Sequence, residues 1–211
     1  NNNTHLRGLF FSASLNNQKM SYLFRGLTGG NSISEINFSH NEFDVEGVRS
    51  MMPFLQNASN LKELDVSSND NIGTEACFNS LFRFLFFSPV ERLVCTECFI
   101  NSIEIDGDCI PLNLRELHLT NNNIDTAGCR ELAKLLQAEH STLEKLDLDN
   151  NWIDDECVDI LVNSLENNTS LRGLYLEGNH GITAEGRKLL LKLVNDVSSI
   201  KATLQSNHTL F

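Results

Sequence analysis

The 211-residue chain has little positive charge. Sixteen lysines and arginines stand against 28 acids, a formal net charge of −12. A protein that tracks a phosphate backbone needs a basic face, so nucleic-acid binding is not expected. Long apolar runs are missing too. The greasiest stretch, Leu81 to Val90, is broken by Arg83, Ser88 and Pro89, far short of the roughly 18 apolar residues of a membrane span. No signal peptide is visible, and the chain opens on Asn1 and Asn2 without a methionine. No G-x-x-x-x-G-K-[ST] or G-x-G-x-x-G occurs; Gly29-Gly30 reads as a plain turn, so nucleotide binding has no support. No D-x-D-x-D-G loop answers the acids with a calcium site. What remains is 41% hydrophobic and 21% charged, enough to bury a core.

What the chain has is repetition, which decides a fold before any local propensity does. Leu143, Leu146, Leu148 and Asn151 set a spacing that returns at Leu171, Leu174, Leu176 and Asn179, and at Leu114, Leu117, Leu119 and Asn122. It returns again at Leu61, Leu64, Val66 and Asn69, and at Ile33, Ile36, Phe38 and Asn41. Val90, Leu93, Cys95 and Cys98 form a variant block. Leu6, Leu9, Phe11 and Ser14 form a weak first one, and Ala202, Leu204 and Asn207 a degraded last one. The first seven blocks start 27, 28, 29, 24, 29 and 28 residues apart.

This pattern resembles the leucine-rich-repeat family, L-x-x-L-x-L-x-x-N/C, with the period of its ribonuclease-inhibitor-like subclass. The resemblance implies an α/β solenoid, a horseshoe arc with a parallel β-sheet on the concave face and helices on the convex face. The expectation is a single array over residues 1–211, of about seven to eight repeats, forming part of a longer chain because neither end carries a polar capping repeat.

Physical chemistry explains the pattern. Alternating apolar residues make each block a short strand with one buried face. The resemblance gives the residue closing each strand, Asn41, Asn69, Cys98, Asn122, Asn151 or Asn179, a buried structural role. An amide carries donors and an acceptor, so it can satisfy a buried turn. An apolar residue then precedes helix-capping types at Asp44, Gly73, Asp125, Asp154 and Thr183. Small residues follow at Gly47, Ala76, Gly128, Cys157 and Gly186. Pro53 should kink or delay its helix. The short fourth block, Phe99 to Asn113, reads as helix-free.

Chemistry has little to build on. Cys95 and Cys98 form a C-x-x-C, but the repeat register already explains both, and no second pair completes a zinc site. His118 and Asp147 should be adjacent on the concave face, near Ser39, Ser67 and Thr120. A parallel ladder, however, offers neither an oxyanion hole nor a water-excluding pocket. Asp147, Asp149 and Glu177 read as a solvated acidic face. No catalytic residue, metal or cofactor is expected.

The function expected is a non-enzymatic scaffold that binds a protein through its concave face. The candidate contacts are His118, Asp147, Asp149, Tyr175, Glu177, Asp65 and Asn37. The resemblance also implies alternatives: a regulator of a small GTPase or of a nuclease, or a ligand-sensing domain of a larger receptor. The phenylalanines from Phe78 to Phe87 either fill the gap of the short block or offer a partner an apolar contact near Phe82 and Phe86. Buried free thiols favour the cytoplasm. Sequons at Asn57 and Asn167 support an extracellular alternative.

Overall fold

A computed structural model describes residues 5–13, 15–26, 32–107 and 109–195. The turn at Gly29-Gly30, Ser14 and the last degraded block lie outside them. Seven three-residue strands follow in chain order: β1 (Gly8–Phe10), β2 (Glu35–Asn37), β3 (Glu63–Asp65), β4 (Arg92–Val94), β5 (Glu116–His118), β6 (Lys145–Asp147) and β7 (Gly173–Tyr175). They form one sheet in the order β1 to β7, every pair parallel. Parallel neighbours need a crossover. Helices α1 (Asn17–Gly26), α2 (Val45–Asn57), α3 (Glu75–Leu85), α4 (Thr126–Gln137) and α5 (Asp155–Ser164) supply it everywhere except between β4 and β5, and α6 (Ala184–Asn195) follows β7.

The middle residue of each strand points into the core. Ile36, Leu64, Leu93, Leu117 and Leu146 are fully buried and are register partners. Leu119 and Leu148, two positions further on, are buried as well, and Leu176 is half-buried. Each inward leucine stacks on its counterpart one coil away, so a single core runs the length of the array.

The asparagine row closes it. Asn69 donates through Nδ2 to the carbonyls of Phe38 at 2.9 Å and Val66 at 2.9 Å, and its Oδ1 accepts from Asn41 N at 3.1 Å. Asn122, Asn151 and Asn179 repeat the arrangement. One buried amide therefore satisfies polar groups of two turns, in its own coil and a neighbour. Cys98 fills the same column with its Sγ 3.4 Å from the Val66 carbonyl. All six cysteines are free, and Cys109 alone is not fully buried.

Helix entries follow the capping residues in four coils, Thr183 Oγ1 accepting from Glu185 N at 3.2 Å in the last of them. The carboxylates of Asp44, Asp125 and Asp154 each accept a hydrogen bond from a first-turn N–H. The third coil corrects the expectation. A single 3-10 turn, Asp70–Gly73, precedes α3, so Thr74 rather than Gly73 stands at the cap. The shift carries Ala76 to the surface and puts Cys77 in the buried small-residue position. Pro53 does not delay its helix: α2 begins at Val45 and runs through it.

Among the described residues the fourth coil replaces its helix with an irregular strap. Buried Asn79 of α3 accepts from Glu104 N at 3.0 Å. Glu131 of α4 accepts from Ile105 N at 2.8 Å, and Lys134 Nζ donates to Ile105 O at 3.3 Å. Side chains from both flanking helices thus satisfy backbone that no helix bonds. Ile103, Ile105 and Ile110 fill the space beneath.

The phenylalanine cluster also corrects the expectation. Phe82 belongs to the core, 4% exposed and 5.9 Å from Phe78 ring to ring. It offers no partner a contact. Phe86 is half-buried, and the outward ring is its neighbour Phe87, 82% exposed. Phe84, also buried, packs inward with Phe82, so most of the cluster fills the interior.

Candidate functional site

The strand register places side chains of the open sheet face in rows across the seven coils. The central row is Phe10, Asn37, Asp65, Val94, His118, Asp147 and Tyr175, successive register partners, and it sets His118 beside Asp147 as expected. Beside it run the first residues of the strands. Asp149 and Glu177 follow two residues beyond Asp147 and Tyr175.

His118 sits at a charged junction. Its Nδ1 lies 3.4 Å from Asp147 Oδ2, and its Nε2 lies 3.2 Å from Glu116 Oε2 and 3.3 Å from Arg92 Nε. Arg92, Glu116 and Asp147 between them thus engage both ring nitrogens of His118. The first-residue row forms a chain of alternating charge around it. Arg92 Nη1 meets Glu63 Oε1 at 2.5 Å, Arg92 Nε meets Glu116 Oε2 at 3.2 Å, and Lys145 Nζ meets Glu116 Oε1 at 2.8 Å. Burial pushes the Glu116 carboxyl up, but hydrogen bonds and charge from Lys145 and His118 outweigh it and hold it below its ordinary value. Lys145 is raised in return, chiefly by its hydrogen bond to Glu116. Ion pairs this exposed are worth little individually, but a chain of them fixes side-chain positions before any partner arrives.

The rest of the row is differently built. Asn37 Nδ2 donates to Asp65 Oδ2 at 2.7 Å, and Asp147 Oδ1 accepts from Asp149 N at 3.1 Å. Asp149 Oδ1 accepts from Glu177 N at 2.6 Å. Burial raises the Asp149 carboxyl; the Glu177 N–H opposes this, and the nearby charges of Asp147 and Glu177 raise it further. Tyr175, 42% exposed, ends the row in the open. The structure thus gathers His118, Asp147, Asp149, Tyr175 and Glu177 on three successive coils, with Asn37 and Asp65 forming a separate pair, three and two coils away from His118.

Two participants escaped the sequence reading. Arg92 and Glu116 are not among the contacts expected from the sequence, yet both contact His118. The signal was present, because Glu63, Arg92, Glu116 and Lys145 alternate in charge at equivalent positions. Among the described residues no group of three or more His, Cys, Asp or Glu is arranged to hold a metal ion. No helix among them is long and apolar enough to cross a membrane.

Comparison with known proteins agrees with this geometry. A family model described as Leucine Rich repeat matches residues 57–78, 112–133, 139–158 and 167–191. Protein CARMIL of Dictyostelium discoideum is 23% identical over 189 residues, covering 74% of this chain and 18% of that protein. The chain therefore spans less than a fifth of that relative's length. Leucine-rich repeats are in general protein-interaction scaffolds.

Proposed function

We propose, on the premise that this chain is a leucine-rich-repeat solenoid, that it binds a partner protein through its open sheet face and performs no chemistry there. The observation that carries this is the His118 junction. A histidine clamped by Arg92, Glu116 and Asp147 is a rigid polar centre, and exposed Tyr175 stands two coils away in the same row. Positioned polar groups beside an exposed aromatic are what a protein interface uses. Catalysis lacks support on the same face. A parallel strand ladder is not built to form an oxyanion hole beside a hydroxyl such as Thr120, and the His118 nitrogens are already engaged by charged neighbours.

The strand–helix alternation and the spacing of 24 to 29 residues support assignment to the ribonuclease-inhibitor-like subclass. The six free thiols support a reducing compartment, hence the cytoplasm. Secretion is the alternative, and expression through a secretory pathway with a mass measurement at Asn57 and Asn167 separates the two.

The test of the binding reading is capture. The wild-type chain and a triple variant, His118→Ala, Asp147→Ala and Tyr175→Ala, are compared as bait, with partners identified by mass spectrometry. The reading expects at least one saturable partner that the triple variant loses. Equal retention of every partner by the two baits would remove the open sheet face as the binding surface.

A further inference from the structure

Outside the open face, the turn edge of the solenoid carries a row that neither the core nor the ion-pair chain uses. The residue that follows each ladder position is Asp70, Phe99, Asn123 and Trp152 in coils three to six. Backbone hydrogen bonds stack these turns: Asn123 N donates to Ile100 O at 2.8 Å, and Trp152 N to Ile124 O at 3.0 Å. The two aromatics are therefore held one coil either side of Asn123, about 10 Å apart, twice the strand spacing. Both stand in water: Phe99 is 58% exposed and Trp152 66%.

Phe99 is also held at a cost. Its φ is +57°, the left-handed region that a bulky side chain avoids. Other coils have one such residue, just before the ladder position, whereas coil four has Glu97 and Phe99 on both sides of Cys98. The preceding turn packs directly against this segment, since a Cβ at Gly73 would meet the backbone of Cys98 and Phe99. An exposed aromatic in a strained backbone, matched by a second aromatic in the same row, does nothing for the interior.

Charge is divided across the sheet in the same direction. Lys62, Arg92, Arg115, Lys145 and Arg172 lie at or beside the strand starts. The opposite edge of coils three to six, residues 66–76, 95–101, 119–128 and 148–157, contains no lysine or arginine. Exposed Asp70 and Glu97 flank Phe99 there. Glu97 takes its hydrogen bonds from neutral donors, Ser68 Oγ at 3.3 Å and Asn121 Nδ2 at 3.2 Å.

We propose that this edge is a second docking surface, for an extended arginine-bearing segment of a partner protein, with guanidinium groups stacked on Trp152 and Phe99 and drawn in by Asp70 and Glu97. A planar, weakly hydrated guanidinium lies flat on an indole face more favourably than an ammonium does. Arg130 holds Glu156 at the far end of the edge, but among the described residues no lysine or arginine pairs with Asp70 or Glu97, which leaves these two carboxylates for the partner. Lysine-rich segments meet the same field but lack the stacking, which makes the distinction testable.

Trp152 is the chain's single tryptophan, so its emission reports this edge alone. The full chain is titrated with short peptides alternating glycine with arginine, lysine or glutamate. The proposal expects a saturable change in Trp152 emission with the arginine peptide, at an affinity about tenfold above that of the lysine peptide. Labelled-peptide anisotropy should show weaker binding for Trp152→Ala and for Phe99→Ser. Tyr175→Ala, on the open face, should leave it unchanged, which separates this surface from the one proposed above. Both edge residues are exposed, so the variants should keep the wild-type circular dichroism. Equal affinity for arginine and lysine peptides, unaltered Trp152 emission, or full binding by Trp152→Ala would each overturn the proposal.

Discussion

Asn179 Oδ1 accepts from Asn151 N at 2.9 Å and from Ile153 N at 3.1 Å, so a side chain of the seventh coil completes the turn of the sixth. Each ladder asparagine serves a neighbouring coil in this way. Asn151 donates to the carbonyls of Leu119, Leu148 and Asp149 and accepts from Ile124 N. Replacing it by alanine strands several buried groups, each worth about 1–3 kcal/mol. Asn151→Ala is therefore expected to lower unfolding stability by about 3–5 kcal/mol in urea titration. Asn123→Ala, in the next row and partly exposed, is expected to stay within about 0.5 kcal/mol. Equal losses for the two would remove the ladder from the account of stability.

A second row needs a backbone conformation rather than a side chain. Ala13, His40, Ser68, Glu97, Asn121, Asn150 and Gly178 each precede a ladder position, or its weak first copy at Ser14, and all have φ between +52° and +73°. At Gly178 there is also no space, because a Cβ would run into the Asn150 side-chain amide. Gly178→Ala should cost about 1–2 kcal/mol. Ser68→Gly relieves the same conformation and should be neutral or stabilising by about 0.5 kcal/mol. Denaturant midpoints of the two variants should move in opposite directions, or the second not at all.

The rows were legible in the sequence because two periods coincide. Alternation within a block says which side of a strand is buried, and recurrence about 28 residues on says which residues become neighbours. Leu64, Leu93 and Leu117, or Val94, His118 and Asp147, could thus be aligned without coordinates. The left-handed row could not, because alanine, histidine, serine, glutamate, asparagine and glycine share no side-chain chemistry. The helix-free strap was foreseen as an irregularity, but its attachment through Asn79 and Glu131 depends on tertiary contacts that no local pattern encodes. The 3-10 turn before α3 shifted one helix entry by a residue, enough to misplace Gly73 and Ala76. At the open face the row was right and its wiring incomplete: Arg92 reaches His118 diagonally from β4, and Glu116 from two residues before it on β5.

The phenylalanine cluster shows the cost of reading orientation from a crowded run. Phe82 lies in the core beside Phe78, while Phe87 projects outward against Phe86, 4.6 Å from it ring to ring. Phe82→Ala should remove about 3–5 kcal/mol of stability through the cavity it leaves. Phe87→Ser should change stability by less than about 0.5 kcal/mol. Thermal unfolding of the two proteins would expose an inverted assignment at once.

Acid titration should separate the two carboxylates whose values are displaced in opposite directions. Glu116 is held below its ordinary 4.5, the hydrogen bonds and charge of Lys145 and His118 overcoming the burial that raises it. Its ionised form is favoured by folding, so its stabilisation is present above pH 4.5 and is lost as pH falls through the lowered folded value. Asp149 is raised above its ordinary 3.8 by burial, with Asp147 and Glu177 adding to it. Its ionised form is disfavoured by folding, so the penalty is absent below 3.8 and grows as pH rises through the folded value. Glu116→Gln should accordingly destabilise the protein at neutral pH, with the difference from wild type shrinking below pH 4.5. Asp149→Asn keeps an acceptor for Glu177 N and should stabilise it at neutral pH, the gain vanishing in acid. Urea midpoints measured for the three proteins from pH 3 to pH 7 should therefore converge on the acid side from opposite directions; parallel curves would show that neither carboxylate feels the neighbours assigned to it.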